Sequence, residues 1–280
     1  MTNSWKIGVL RGSPLHGREH TIMSKTENRR DRILEVVRRE RAVGLADIAQ
    51  SMDVSYMTVR RDLKVLEEKS LLSVINGVAV WNADSPLADN RRYSLADAGT
   101  QMVEEKNRIG RLAAGLIENN DTIIIDTGST AEFLARHIPG DMHITIICYT
   151  INTLVEVYRH PNCQIVFPGG YFHNNSLMFE CPEGIALIKR NRATKAFITA
   201  SGVCPDLGVT CDNHYESPVK RTIIESSQRR ILLFDSSKLN RVRIAHFAEL
   251  NEFDTVITDS GVPKSFHKVA KDRGIELLIA

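Results

Sequence analysis

Residues Ser55–Leu63 read SYMTVRRDL. A helix turns about 100° per residue, so Val59, Leu63 and Leu66 fall together and can face a core. Met57, Arg61 and Lys64 fall on the opposite side, with Thr58 and Arg60 on its two flanks. A solvated face ordinarily carries glutamate and lysine. This face carries guanidinium forks, a hydroxyl and a soft apolar group.

The flanking sequence gives this helix a setting. Ile33, Val36 and Val37 recur at helical spacing in a first helix from Arg29 to about Arg41, where AVG breaks it. LADIAQSM forms a short second helix with Leu45, Ile48, Ala49 and Met52 inward. DVS is a tight turn, and Ser55 is a good N-cap for a third helix reaching about Lys69. LLSVINGVAVW then alternates around Asn76-Gly77, the strongest short hairpin signal. Helix, short helix, turn, helix, hairpin is the order of a winged helix-turn-helix, which projects its third helix into a major groove. Arginine bonds guanine O6 and N7 bidentately, and a threonine or methionine methyl touches the thymine methyl. Ser55, at the helix N-terminus, is placed for a phosphate. The expected DNA-contacting set is Ser55, Tyr56, Met57, Thr58, Arg60, Arg61 and Lys64. The alternative is a three-helix interaction module whose third helix is merely solvated.

With 280 residues, 42% hydrophobic, 25% charged and a net charge of +2, the chain suits two soluble domains. Its five cysteines are odd in number, widely spaced and free of C-x-x-C, which favours reduced thiols in a cytoplasm over disulfides or zinc. No cofactor or metal is expected. No apolar run approaches the roughly 18 residues that span a bilayer, and WKIGVLRG is too short an apolar centre for a signal peptide. Residues 1–24 are polar and patternless, so disorder is expected there, with Met23 an alternative start.

The stretch 81–99, WNADSPLADNRRYSLADAG, reads as a linker between a domain at 25–80 and one at 100–280. The second domain opens with an amphipathic helix, TQMVEEKNRIGRLAAGLI. Seven apolar runs follow, TIIID, ITIICY, QIVFPGG, KAFITA, RILLFD, DTVITD and IELLIA, separated by helical patterns. That alternation predicts an α/β domain with a largely parallel sheet. Ligands of such sheets gather at the carboxyl ends of strands. There stand Asp126-Thr127-Gly128-Ser129-Thr130, an oxyanion nest at a helix start; Tyr149, Thr150 and Asn152; Gly169-Gly170; and Asp235, Ser236, Ser237 and Lys238. Lys220 begins another helix. Hydroxyls, amides, carboxylates and lysines together suit a small phosphorylated polyol. Taken singly, DTGST is equally an N-cap turn, the glycine pair a tight turn and Lys220 a surface residue.

RILEVVRRERAVGLADIAQSMDVSYMTVRRDLKVLEEKSLLSVINGVAV resembles the N-terminal domain of the DeoR family of bacterial transcriptional repressors, and VSYMTVRRDL is close to that family's recognition-helix motif. Where the family more often has a second glycine in the wing, this sequence has Val78. VEEKNRIGRLAAGLI, DTGST, PGG, GVTCDNHYESPVK and FDSSK resemble the family's sensor domain, whose fold is similar to ribose-5-phosphate isomerase. The resemblance implies a non-enzymatic, homo-oligomeric repressor of a carbohydrate operon, released from double-stranded operator DNA by a phosphorylated sugar. It implies a pocket lined by Asp126, Gly128, Ser129, Thr130, Gly169, Gly170, Lys220, Asp235 and Lys238. CYTINT departs from the threonine–asparagine start common in the family, and its likeness to a variant form implies a pentose phosphate. Two other readings remain: a sugar-phosphate isomerase with an accessory head, moving protons through Asp126, Glu216 and Lys220, and an architectural DNA-binding protein whose α/β domain only oligomerises.

Overall fold

The computed structural model describes residues 25–81 and 93–280; the expected disordered tail and most of the expected linker lie outside the described residues. The chain begins with α1 (Lys25–Glu40), β1 (Ala42–Gly44), α2 (Leu45–Met52), α3 (Tyr56–Glu68), β2 (Leu72–Ile75) and β3 (Val78–Trp81). The break expected at AVG is itself a strand: Ala42, Val43 and Gly44 pair antiparallel with Val80, Ala79 and Val78. Asn76 and Gly77 both take positive φ, and Ile75 pairs with Val78 across a two-residue turn. Ser55 caps α3, accepting from the Thr58 amide at 3.2 Å. One core of Ile33, Val37, Leu45, Ile48, Val59, Leu63, Leu66, Leu72 and Ala79 joins the helices to the inner face of the sheet. This is the winged helix-turn-helix of the sequence.

The Asp of the R-R-D-L run has a separate task. Asp62 is almost fully buried and accepts from Arg29 Nε at 2.6 Å and Arg30 Nε at 3.0 Å. The carboxylate therefore ties α3 to α1, fixing the helix from behind while its neighbours Arg60 and Arg61 face outward.

The remainder runs α4 (Leu95–Gly99), α5 (Val103–Ala114), β4 (Thr122–Ile125), α6 (Ser129–Arg136), β5 (Ile144–Cys148), α7 (Ile151–Val157), β6 (Cys163–Val166), β7 (Tyr171–His173), β8 (Met178–Glu180), α8 (Pro182–Arg190), β9 (Ala193–Thr199), β10 (Gly202–Cys204), β11 (Gly208–Cys211), α9 (Glu216–Ser226), β12 (Ser227–Leu233), β13 (Ala245–Ala248), β14 (Thr255–Thr258), α10 (Lys264–Asp272) and β15 (Glu276–Ile279). The seven apolar runs form one seven-stranded sheet, ordered β15-β14-β12-β9-β4-β5-β6 and parallel throughout. Its central strands β4, β5, β9 and β14 are buried on both faces, so alternate residues serve opposite cores, while the edge strands β6 and β15 keep exposed positions. Ile123 and Ile125 face α5, α6 and α7, while Ile124 joins the cluster under α8, α9 and α10. From β4 the chain winds one way to β5 and β6; from β9 it winds the other way to β12, β14 and β15. The boundary between β4 and β9 is thus the topological switch point, where α/β sheets open a crevice.

Two small features were not legible as strands. β10, β11 and β13 make a separate antiparallel sheet over the α9 side, and β7 and β8 form a short hairpin. The final third of the expected linker is also structured. Ser94 caps α4, accepting from the Asp97 amide at 3.4 Å, and Leu95 is buried. Among the described residues no helix is long and apolar enough to cross a membrane.

Replacing Asp62 by alanine strands two arginines that are only a quarter exposed. The head is expected to lose about 2 kcal/mol, read as an earlier thermal transition by circular dichroism. Arg61→Ala, one position away on the exposed face, is expected to stay within about 0.5 kcal/mol.

Candidate nucleic-acid interface and ligand cavity

On α3 the side chains Val59, Asp62, Leu63 and Leu66 are buried, and Ser55, Tyr56, Met57, Arg60, Arg61 and Lys64 are exposed, with Thr58 half-buried. Met57 keeps 60% of its surface open and Tyr56 45%, far above what apolar side chains retain when they have a core to enter. Arg60, Arg61 and Lys64 form no ion pair among the described residues, so their charge is directed to solvent. Ser55 and Thr58 bond each other at 2.9 Å at the helix start. The face proposed from the wheel is therefore contiguous, basic and open.

The cavity of the C-terminal unit sits at the switch point. β4 is followed at once by Asp126, whose backbone amide donates to the Phe197 carbonyl on β9 at 3.0 Å. The Asp126 carboxylate is wholly buried. One oxygen accepts from the Tyr149 hydroxyl; the other accepts from the Thr199 amide at 2.9 Å and from Lys220 Nζ. Lys220 also donates to the Thr199 carbonyl at 3.1 Å and approaches Glu216 at 3.7 Å. Burial alone would lower the Lys220 pKa, but the Asp126 and Glu216 carboxylates outweigh it and hold the ammonium above its ordinary value. Burial pushes Glu216 the other way, up to about 7, against the pull of Lys220 and the amide of Asn213. Its carboxyl is thus held well above the ordinary carboxylate range.

Above this lattice the chain turns into α6. Gly128 has φ +120°, and a Cβ there would come within 2.7 Å of Thr199 Oγ1, so only glycine fits the turn. No side chain caps α6. Ser129 and Thr130, the first residues of the helix, line the cavity, and their backbone N–H groups, at the positive end of the helix dipole, have no intrahelical acceptor. Two lysines flank them. Lys106, 1% exposed, donates to the Ala98 and Gln101 carbonyls at 2.5 and 2.7 Å and lies 3.9 Å from Asp235. Burial lowers its pKa to about 8, against the pull of Asp235. Lys238 is also lowered, by burial first, and lines the same space. Asp235 itself is buried, and its Oδ2 has no hydrogen-bond partner among the described residues. Tyr93 and Ala98 close the rim, and Thr199 and Glu216 form the floor.

Of the sequence-derived set, Gly128, Ser129, Thr130, Lys220 and Lys238 line this cavity. Asp126 lies beneath it, locked to Lys220, and Asp235 stands beside Lys106. Three residues lie elsewhere. Asn152, on α7, donates to Glu132 at 3.2 Å. Gly169 borders a separate apolar cleft with Pro168 and Phe179, and Gly170 is pressed so close to the Glu180 carbonyl that a Cβ would come within 2.4 Å. Sequence spacing missed Lys106, Tyr93 and Thr199, and placed Glu216 in the pocket only under the isomerase reading. Lys106 carried a weak signal: it sits in VEEKNRIGRLAAGLI with the apolar residues of α5, where a lysine is turned inward.

Residues 29–84 match the family model described as DeoR-like helix-turn-helix domain, and residues 101–260 match the DeoR C terminal sensor domain. The chain is 31% identical over 255 residues to the deoxyribose operon repressor of Escherichia coli K12, covering 91% of this chain and 99% of that protein. It is 30% identical to the transcriptional repressor GlcR of Bacillus subtilis, covering 90% and 97%. It is 29% identical to the regulator GolR of Listeria innocua, covering 90% and 98%. Among solved structures, ribose 5-phosphate isomerase A from Neisseria gonorrhoeae aligns at TM-score 0.36 and 16% identity, over 49% of this chain and 53% of that one. The curated relatives are regulators and not enzymes, and with an open recognition helix ahead of a matching sensor domain, the chain belongs to the DeoR family of transcriptional regulators.

Proposed function

We propose that this regulator represses a carbohydrate-catabolism operon and leaves its operator when a phosphorylated sugar enters the cavity of the sensor domain. The observation that carries the reading is the pairing of the uncapped α6 N-terminus with Lys106 and Lys238, which suits a phosphate. Glu216 lines the same cavity, and Asp235, whose Oδ2 has no hydrogen-bond partner among the described residues, stands beside it 3.9 Å from Lys106; both suit sugar hydroxyls. Kinship with a deoxyribose operon repressor favours a pentose phosphate. Two heads on a homo-oligomer would read paired half-sites, with Arg61 and Met57 facing bases and Ser55 a phosphate.

Lys220 is a poor residue with which to test induction. Its removal would leave Asp126 buried and unpaired, at a cost of about 3–5 kcal/mol. Lys238→Met and Ser129→Ala touch the cavity without breaking that lattice. Calorimetry against ribose, deoxyribose and hexose phosphates is expected to show binding to wild type and at least about tenfold weaker binding to Lys238→Met. Silence across the whole panel would remove the sugar phosphate from the account. Footprinting at matched salt is expected to show that Arg61→Ala loses operator discrimination while retaining salt-sensitive, non-specific binding. Unchanged operator protection would reassign the recognition face.

The pH dependence follows from Lys106. An anion prefers the ammonium form, so affinity is expected to fall as pH rises through about 8, where Lys106 loses its proton. Lys106→Met should bind more weakly at pH 7 and lose this alkaline limb. A limb that survives the substitution assigns the titration to another group.

A further inference from the structure

β3 is buried on both of its faces, although it belongs to a sheet of only three short strands. Ala79 turns into the core of the head. Val78 and Val80, 4% and 0% exposed, turn the other way with Ile75 and Ala42, and pack against Cys204, Leu207 and Val242 of the sensor domain. Cys204 ends β10, and Val242 lies in the segment that joins the cavity to β13. That segment begins at Lys238, which lines the cavity. It is stitched to the small antiparallel sheet at three points. Leu239 bridges Val203, the Asn240 amide donates to the Val203 carbonyl at 2.7 Å, and the Arg243 amide donates to Thr210 Oγ1 at 2.8 Å. Only this short stretch separates a cavity lysine from a side chain packed on the wing.

We propose that the outer face of the wing is a docking surface for the β10-β11-β13 sheet of the same chain, and that the segment Lys238–Val242 holds or releases it, so that the state of the cavity is relayed as the orientation of the head. The relay rests on the reading of the cavity as the effector site; the docking does not. The occupant belongs to the chain itself, since Cys204, Leu207 and Val242 cover an apolar face that a free head would expose to water. Docking leaves α3 open, with Tyr56 and Met57 still about half exposed or more, so it orients the reading helix and does not mask it. A ligand that draws Lys238 toward itself pulls on the stitched segment, and Val242 is the apolar residue through which that pull reaches the wing.

The test uses the full chain without ligand, so a cavity that takes some other ligand class leaves its result unaltered. Thiol alkylation read by mass spectrometry reports docking at Cys204, and Cys148 and Cys211, buried in the main core clusters, report global unfolding. Val242→Glu is expected to label Cys204 at least about tenfold faster, with Cys148 and Cys211 unchanged, and to speed amide exchange at Val78–Trp81. Wild-type protection at both places overturns the docking. Should all three thiols open together, Val242→Thr, of the same shape, is read by the same criteria. Lys238→Met is expected to speed exchange at Leu239–Val242 and at Val78–Trp81 together. Faster exchange confined to the segment, or none at all, overturns the relay while leaving the docking in place.

Discussion

The sensor domain is organised around one buried carboxylate. Asp126 stands where the sheet changes winding direction and has no access to water. An unpaired charge in such a place is strongly unfavourable, and only a full set of hydrogen bonds offsets its desolvation. Tyr149 reaches it from the end of β5, the Thr199 amide from the end of β9 and Lys220 from α9. The ends of three neighbouring strands and one helix are thereby drawn to a single point. That convergence sets Gly128 against Thr199 and points the first turn of α6 into the crevice. The anion nest is a consequence of satisfying the aspartate below it.

Charge in the cavity is arranged in two tiers. The lower tier, Asp126 with Lys220, is internally neutral and closed. The upper tier is not: Lys106 and Lys238 have their pKa values lowered by burial, and Asp235 keeps an oxygen without a hydrogen-bond partner. Burial, the larger influence on both lysines, is only partly offset by the Asp235 carboxylate. Lys106 spends two of its three protons on carbonyls of the segment 98–101, at and just after the end of α4. The rim of the cavity is therefore bound to the same ammonium that faces its interior.

Much of the architecture was legible as periodicity in the sequence. The seven parallel strands could be read because each carries a short apolar run, buried on both faces in the centre of the sheet, and α3 because its two faces differ in chemistry as well as polarity. β10, β11 and β13 could not, since strands of three or four residues are too short to show a period. The site was half legible for a different reason. Strand ends and a glycine-hydroxyl run locate the crevice, but spacing along the chain does not tell whether a polar side chain is already satisfied by a neighbour. Lys220 and Asp126 read as ligand groups and are chiefly each other's partners. Asn152 and Gly170 sit after the correct strands, yet serve α6 and the β8 backbone. Lys106 makes the reverse case, a cavity lysine that looks like one charge among several in an amphipathic helix.

The doubly buried wing strand has an energetic consequence. A head of this size buries a smaller fraction of its surface than a larger domain does and is marginal alone. Its outer face adds Val78 and Val80, and the sensor adds Val242 and Cys204. Burying each valine is worth about 1.5 kcal/mol on transfer scales. The loss of orientational freedom of two tethered units opposes this, so the net is a few kcal/mol. Allosteric coupling is typically about 1–3 kcal/mol. An interface much larger would fix the head beyond the reach of a small anion, and one much smaller would leave it unoriented. A patch of a few aliphatic side chains lies between these limits, which is the size a reversible switch requires.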